Sequence, residues 1–217
     1  AIGFPIPIFL ALLINEIQHK RLQRTVQNIT YIPHFLSVVV VVSMLNLFSN
    51  VDYGIFNKFL GLFGFPAADY MAKAQYFQTL FVFSNVWQSM GFNSIIYIAA
   101  LTAIDSTLYE AATIDGCSRF KKIIHISLPG LLPTILILFI MRMGSLMEIG
   151  FEKVLLMQNP INMSSSEIIS TFIYKNGIQK GQFSYSAAVG LFNSLINFLL
   201  LLFSNTLVKK FTNTSLW

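Results

Sequence analysis

Charge is scarce in this chain. Asp, Glu, Lys and Arg make up 11% of its 217 residues, against about 25% in an ordinary soluble domain. So few charges cannot cover a water-facing surface. Hydrophobic residues reach 55%, and mean hydropathy is +0.66. A polytopic membrane protein follows. Cysteine is nearly missing too: the single Cys117 excludes an intrachain disulfide framework and any multi-cysteine metal site. His19, His34 and His125 lie far apart, with no carboxylate spacing that makes a metal site. The sequence has no Ser-His-Asp set, no paired catalytic carboxylates and no glycine-rich phosphate loop. The sequence therefore offers no recognisable set for hydrolytic or nucleotide chemistry. The net charge of +5 is scattered between apolar runs rather than gathered on one face, which excludes nucleic acid as a partner. Period-two alternation with regular turn signals is absent, so a membrane β-barrel is excluded as well.

What is present is a series of apolar runs. A spanning helix needs about 20 mainly apolar residues. The pattern predicts five: one ending near Ile14, then about Ile32–Phe48, Thr79–Ile104, Leu131–Gly150 and Ala187–Val208. The chain opens on the apolar stretch Ala1–Ile14 without a positive leader, so more chain is expected before it. Lys and Arg favour one side of the expected topology. Segments 15–31, 105–130 and 208–217 carry Lys20, Arg21, Arg24, Arg119, Lys121, Lys122, Lys209 and Lys210. Segments 50–78 and 151–186 carry Lys58, Lys73, Lys153, Lys175 and Lys180, diluted by acids. The first set is read as cytoplasmic. On the other side, 54–63 suits a short interfacial helix. Residues 164–180 open on a helix-start signal, close on the stop Asn176-Gly177, and read either as a packing loop or as part of a docking surface.

Between the third and fourth runs lies Asp105–Pro133, the one long amphipathic, charged stretch with a span on each side. Thr107–Ile114 reads as a short helix in which Ala111 and Ala112 allow close approach beside Glu110. Asp115-Gly116 breaks it, since glycine permits positive φ. Ser118 caps a second helix with Arg119, Lys122 and Lys121 on its basic face, and Leu128-Pro129 is expected to stop it. Two short rigid helices at an angle, pinned between two spans, would transmit a push to both.

The residues Glu110-Ala111-Ala112, Asp115-Gly116 and Leu128-Pro129, with the basic stretch between, resemble the EAA motif of permease subunits of ATP-binding-cassette importers. TYIPHFLS, YIAALTAIDSTLYEAA, GFEKVLLMQNP, STFIYKNG, FSYSAAVGLFNSLIN and the terminal SLW resemble the oligosaccharide branch, related to maltose-type permeases. The resemblance covers nearly the whole chain. It implies an all-α bundle of the type I importer permease fold, five spans seen of six, and a single transmembrane domain over 1–217 with its coupling loop at 105–130. It implies alternating access driven by a separate ATPase. Glu110 would meet a basic group there, Ala111 and Ala112 would allow approach, and Gly116 would supply the bend; Asp115, Arg119, Leu128 and Pro129 complete the coupling set. The implied partners are a second homologous permease, two cytoplasmic ATPase subunits holding ATP and Mg, and an extracytoplasmic sugar-binding lipoprotein. The implied place is the bacterial plasma membrane.

Polar residues inside spans are costly and mark pathways. Asn85, Ser89, Phe92 and Asn93 fall on one face of the third run, with Trp87 and Tyr97 near it. Met141, Gly144, Ser145 and Glu148 are expected to share a face of the fourth. Amides, hydroxyls and a carboxylate suit sugar hydroxyls, and positions at these distances from the motif line the sugar site in the related importers; polar contacts between helices are the alternative use. Arg142 needs a partner or water, through an acidic sugar or a helix tie. Two other functions remain open at this level. One is an amino-acid or peptide permease of the same class. The other is a proton-coupled carrier using Arg142 and Glu148.

Overall fold

The computed structural model describes residues 2–212; the terminal Ser215-Leu216-Trp217 lies outside them. Among the described residues every regular element is a helix. The order is α1 (Pro5–Asn15), α2 (Lys20–Tyr31), α3 (Val38–Ser49), α4 (Ile55–Gly61), α5 (Ala74–Thr102), α6 (Ser106–Ile114), α7 (Arg119–Lys122), α8 (Leu128–Met143), α9 (Phe151–Met157), α10 (Met163–Ser166), α11 (Ile169–Ile173) and α12 (Phe183–Thr212).

Two compact units form. The first takes residues 1–35, 86–144 and 200–217. Its core is Ala11, Leu12, Tyr97, Leu101 and Leu131, with Ile8, Ile104 and Ile135 packed around. The second takes 36–85 and 145–199 and is centred on Val41, Val42, Leu45, Met71, Phe77, Val154 and Met157.

Helices occupy all five expected places, with changed limits. The second run breaks. A 3-10 turn, Ile32–Phe35, continues α2, and α3 starts afresh where the Ser37 side chain accepts from Val40 N at 3.3 Å. Pro33 lacks the N–H an α-helix would use there. The fourth run begins earlier and ends sooner than expected: α7, a π turn at Ile123–Ser127 and α8 form one continuous helix, Arg119–Met143, of 25 residues. Leu128-Pro129 therefore does not end the second loop helix. The Leu128 N–H bonds back to the Ile123 carbonyl, five residues away, so the ladder has already shifted where the proline would interrupt it. This helix and Phe183–Lys210 are long and apolar enough to cross a membrane by themselves; α2 with α3, and α5 with α6, pass only as broken pairs.

The short helices of the second unit have local causes. Gly54 precedes α4, as expected. Asn57 on α4 is buried; its amide donates to the Ala68 carbonyl at 2.9 Å and accepts from the Ala68 N–H at 2.9 Å, fixing the loop to the helix. In 164–180 the expected stop at Asn176-Gly177 is overrun, because a π turn carries the helix from Tyr174 to Gln179. Lys175 pairs with Glu167 at 2.9 Å there.

Candidate functional site

The loop after α5 is built from side-chain caps. Its helix α6 leaves α5 at 71°. The Asp105 carboxylate accepts from Thr107 N at 2.9 Å, and hydrogen bonds from Thr107 hold that carboxyl below the usual range. At the other end the Cys117 N–H donates to the Ala112 carbonyl at 2.9 Å and the Gly116 N–H to the Thr113 carbonyl at 3.1 Å. This is the Schellman pattern, which puts its C′ residue in the left-handed region. That residue is Gly116, at φ +72°. Ser118 then accepts from Lys121 N at 3.4 Å and starts α7.

Three contacts hold this loop in one shape. Tyr109 on α6 hydrogen-bonds the hydroxyl of buried Ser127 in the π turn at 2.9 Å. Lys122 Nζ donates to Thr113 Oγ1 at 2.6 Å. Gly130 lies against the end of α5, where a Cβ would come 2.5 Å from Ile104 Cδ1. Glu110, Ala111, Asp115, Arg119, Leu128 and Pro129 are exposed and Ala112 half-buried. The first helix thus presents an unobstructed acidic and small-residue face. Leu108, Ile114 and Phe120 are exposed beside it, Ile114 at 88%. The sequence reading singled out the charges and small residues, not Leu108 or Ile114. The available signal was an apolar residue at each end of a short charged helix that has no buried side.

The proposed pathway residues fare unevenly. Asn85, Phe92 and Asn93 are exposed on α5 and Ser89 is half-buried. Tyr97, four residues beyond Asn93, is 3% exposed and belongs to the first core. One face of the Phe92 ring is covered by His34, with centroids 3.9 Å apart and planes 5° from parallel. His34 had been read only as a non-ligand. The second group does not share a helix face. Helix α8 ends at Met143 with Gly144 as its cap, so Ser145 and Glu148 lie beyond it. Gly144 serves helix contact, since a Cβ there would come 2.6 Å from Leu201 Cδ1. Met141 and Arg142 are exposed near the end of α8. Glu148 thus stands in the chain that follows α8, not on the helix that carries Arg142.

Lys153 on α9 is the other departure. One of the lysines of segment 151–186, it is 4% exposed. Burial pulls its ammonium down to about 8, with the Phe81 ring 5.9 Å away. Burial disfavours the charged form of a lysine, and the ring face offsets part of that cost.

Among the described residues, helices long and apolar enough to cross a membrane, with a charged loop between two of them, are the architecture of an integral membrane protein. Residues 3–213 match the family described as binding-protein-dependent transport system inner membrane component, and the chain belongs to it. It is accordingly a permease component of a transport system. It is 41% identical over 211 residues to the polygalacturonan/rhamnogalacturonan transport system permease protein YteP of Bacillus subtilis (strain 168), covering 97% of this chain and 66% of that protein. Two solved structures superpose on it. A bacterial ABC transporter involved in import of the acidic polysaccharide alginate gives a TM-score of 0.94 at 37% identity, over 97% of this chain and 73% of the other. The bacterial alginate ABC transporter in complex with alginate pentasaccharide-bound periplasmic protein gives 0.95 at 36%, over 99% and 74%. The fold is thus that of the type I importer permeases. The chain spans about two thirds of the length of YteP.

Proposed function

We propose that this chain is the membrane-spanning subunit of an ATP-driven importer that brings oligosaccharides into the cytoplasm by alternating access. The carrying observation is the loop: an exposed Glu110-Ala111-Ala112 face, held in one shape by Tyr109–Ser127 and Lys122–Thr113, that runs without interruption into the Arg119–Met143 helix. A force on α6 or α7 is handed to a spanning helix, not absorbed. The partner that supplies it is a cytoplasmic ATPase carrying ATP and Mg. Two copies would act on this chain and a second, related permease chain. Glu110 would pair with a basic group of the ATPase, and Leu108, Ile114 and Phe120 would be covered by it.

On the opposite membrane face a sugar-binding protein would deliver cargo. The superposed transporter was solved with its periplasmic protein, which supports this arrangement. Asn85, Ser89, Phe92 and Asn93 would line the path, with Met141 and Gly144 at the end of α8 and Ser145 and Glu148 in the chain that follows. The acidic polysaccharide alginate of the superposed transporter makes acidic oligosaccharides the first class to test, with exposed Arg142 as a candidate contact for their carboxylates. The home of the complex would be the bacterial inner membrane. The sugar words in the relatives' names give an amino-acid or peptide permease no support.

The test is to purify the assembled complex and measure ATP hydrolysis with the binding protein and a panel of neutral and acidic oligosaccharides. Stimulation by one of them supports the reading. Uptake that survives ATP depletion and dies with an uncoupler would sink it.

A further inference from the structure

The second unit contains a cleft of about 460 Å³ beside the N-terminal end of α5. The second half of α3, the 50–53 turn, residues 69–72 and Asn159 form its walls. Its volume lies in the range of small-ligand sites, about 300–1,000 Å³. Its lining differs from the rest of this apolar chain: Ser43, Asn46, Asn50, Tyr53, Asp69 and Asn159 all face it.

These residues divide into a frame and a set of open groups. Asn50 Oδ1 accepts from Asp52 N at 2.9 Å and Tyr53 N at 3.3 Å. Asn159 donates to the Met71 carbonyl at 3.0 Å and accepts from Ile161 N and Asn162 N. Asn162 holds the same Met71 carbonyl at 3.0 Å, and Ser165 holds Ala74 O at 2.6 Å. The walls are therefore laced together by side-chain amides, and binding would not have to order them. Against this frame stand groups that engage no other side chain among the described residues: the Ser43 hydroxyl, the Asn46 amide and the Tyr53 phenol, all exposed. The Asp69 carboxylate uses Oδ1 to cap Met71 N and Ala72 N at 3.1 and 3.0 Å, which leaves Oδ2 to the cleft.

We propose that this cleft is a hydroxyl-recognition subsite that holds one end of an oligosaccharide before it enters the membrane path. An amide, two hydroxyls and a carboxylate oxygen offer donors and acceptors at short spacing, as vicinal sugar hydroxyls require. The Tyr53 ring supplies an apolar face beside them. Asp69 is the one charged group of the lining, so the subsite favours units without a carboxylate. It sorts cargo by its hydroxyl pattern and, through Asp69, against a carboxylate. The proposal rests on the importer reading above.

The experiment uses the purified complex in two arms. Equilibrium dialysis, without binding protein, measures binding of a neutral galactan pentasaccharide and an oligogalacturonate of the same length. Uptake into proteoliposomes, with saturating binding protein, measures transport. Asn46→Ala, Tyr53→Ala and Asp69→Asn sit on exposed positions, and Asp69→Asn keeps the cap. Each should weaken binding of the neutral sugar about 3- to 10-fold, the worth of one hydrogen bond. Each should raise the half-saturating sugar concentration without lowering the maximal rate. Parent and variants with equal sugar binding would overturn the subsite. So would variants that lose affinity for the binding protein alone, since the cleft would then be a protein contact. A parent complex that binds sugar through these residues yet transports none would leave the subsite standing and overturn the importer reading.

Discussion

Tyr109 and Ser127 are 18 residues apart and share a hydrogen bond of 2.9 Å that ties the exposed helix α6 to the π turn at the root of α8. Ser127 is fully buried. Removing only the phenol hydroxyl leaves that serine without its partner, at a cost of about 1–3 kcal/mol. Tyr109→Phe and Ser127→Ala should each lower sugar uptake while ATP hydrolysis continues. The double variant should be less damaged than the sum of the singles, which a double-mutant cycle on thermal inactivation reads directly. Strictly additive effects would mean the two residues act apart.

Gly116 tests the bend itself. Its φ of +72° costs other L-residues about 1–2 kcal/mol, with asparagine the least penalised. No heavy atom lies within 4 Å of a Cβ placed there, so the backbone alone decides the outcome. Gly116→Asn should keep uptake near the parent level. Gly116→Pro also removes the donor to the Thr113 carbonyl and should abolish uptake, with membrane insertion unchanged by immunoblot. Glu110→Lys should do the same by charge reversal. Normal ATP-coupled transport in Gly116→Pro and Glu110→Lys would refute the role of the loop.

His34 lies face to face on Phe92. Aromatic pairs contribute about 0.5–1.5 kcal/mol beyond their buried area. His34→Phe should keep the stack and the transport rate. His34→Ala frees the ring of Phe92 and should lower both the thermal midpoint and uptake. Rescue by the phenylalanine but not the alanine variant identifies stacking as the cause; equal loss in both would point to the imidazole nitrogens instead.

Lys153 predicts a pH dependence. In the unfolded chain its ammonium titrates at the ordinary value of 10.5, and in the folded protein at about 8. Between those values the unfolded state holds more protons, so stability rises with pH across that window. The cost of the buried charge is fully present below about 8. The slope is at most about 1.4 kcal/mol per pH unit for one proton. The thermal-inactivation midpoint of the complex should climb from pH 8 to beyond 9, and Lys153→Met should flatten that part of the profile. A parent profile with no rise there would contradict the burial.

Residues whose roles are local were legible. Asp105, Gly116 and Ser118 are capping and turn residues by type, and each caps or turns the chain where it is expected to. The rule that proline ends a helix was also local, and at Pro129 it failed, because a five-residue hydrogen bond from Leu128 to Ile123 had already reset the ladder. The same kind of turn carried a helix through Asn176-Gly177. Tertiary facts left no mark in the pattern. Nothing near Lys153 distinguishes it from a surface lysine. Tyr97 differs from Trp87 only in which way α5 turns them. The shared face given to Met141, Gly144, Ser145 and Glu148 assumed a helix that the Gly144 cap ends.

A π turn is a helix carrying one residue too many. In an α-helix each residue accounts for about 100° of rotation. Sliding the surplus residue at Ile123–Ser127 one position along the chain would leave both ends of Arg119–Met143 helical yet turn one side chain after another to a new bearing. The rotational setting of α8 is therefore fixed at Ile123–Ser127, offset from the course that α7 alone would give it.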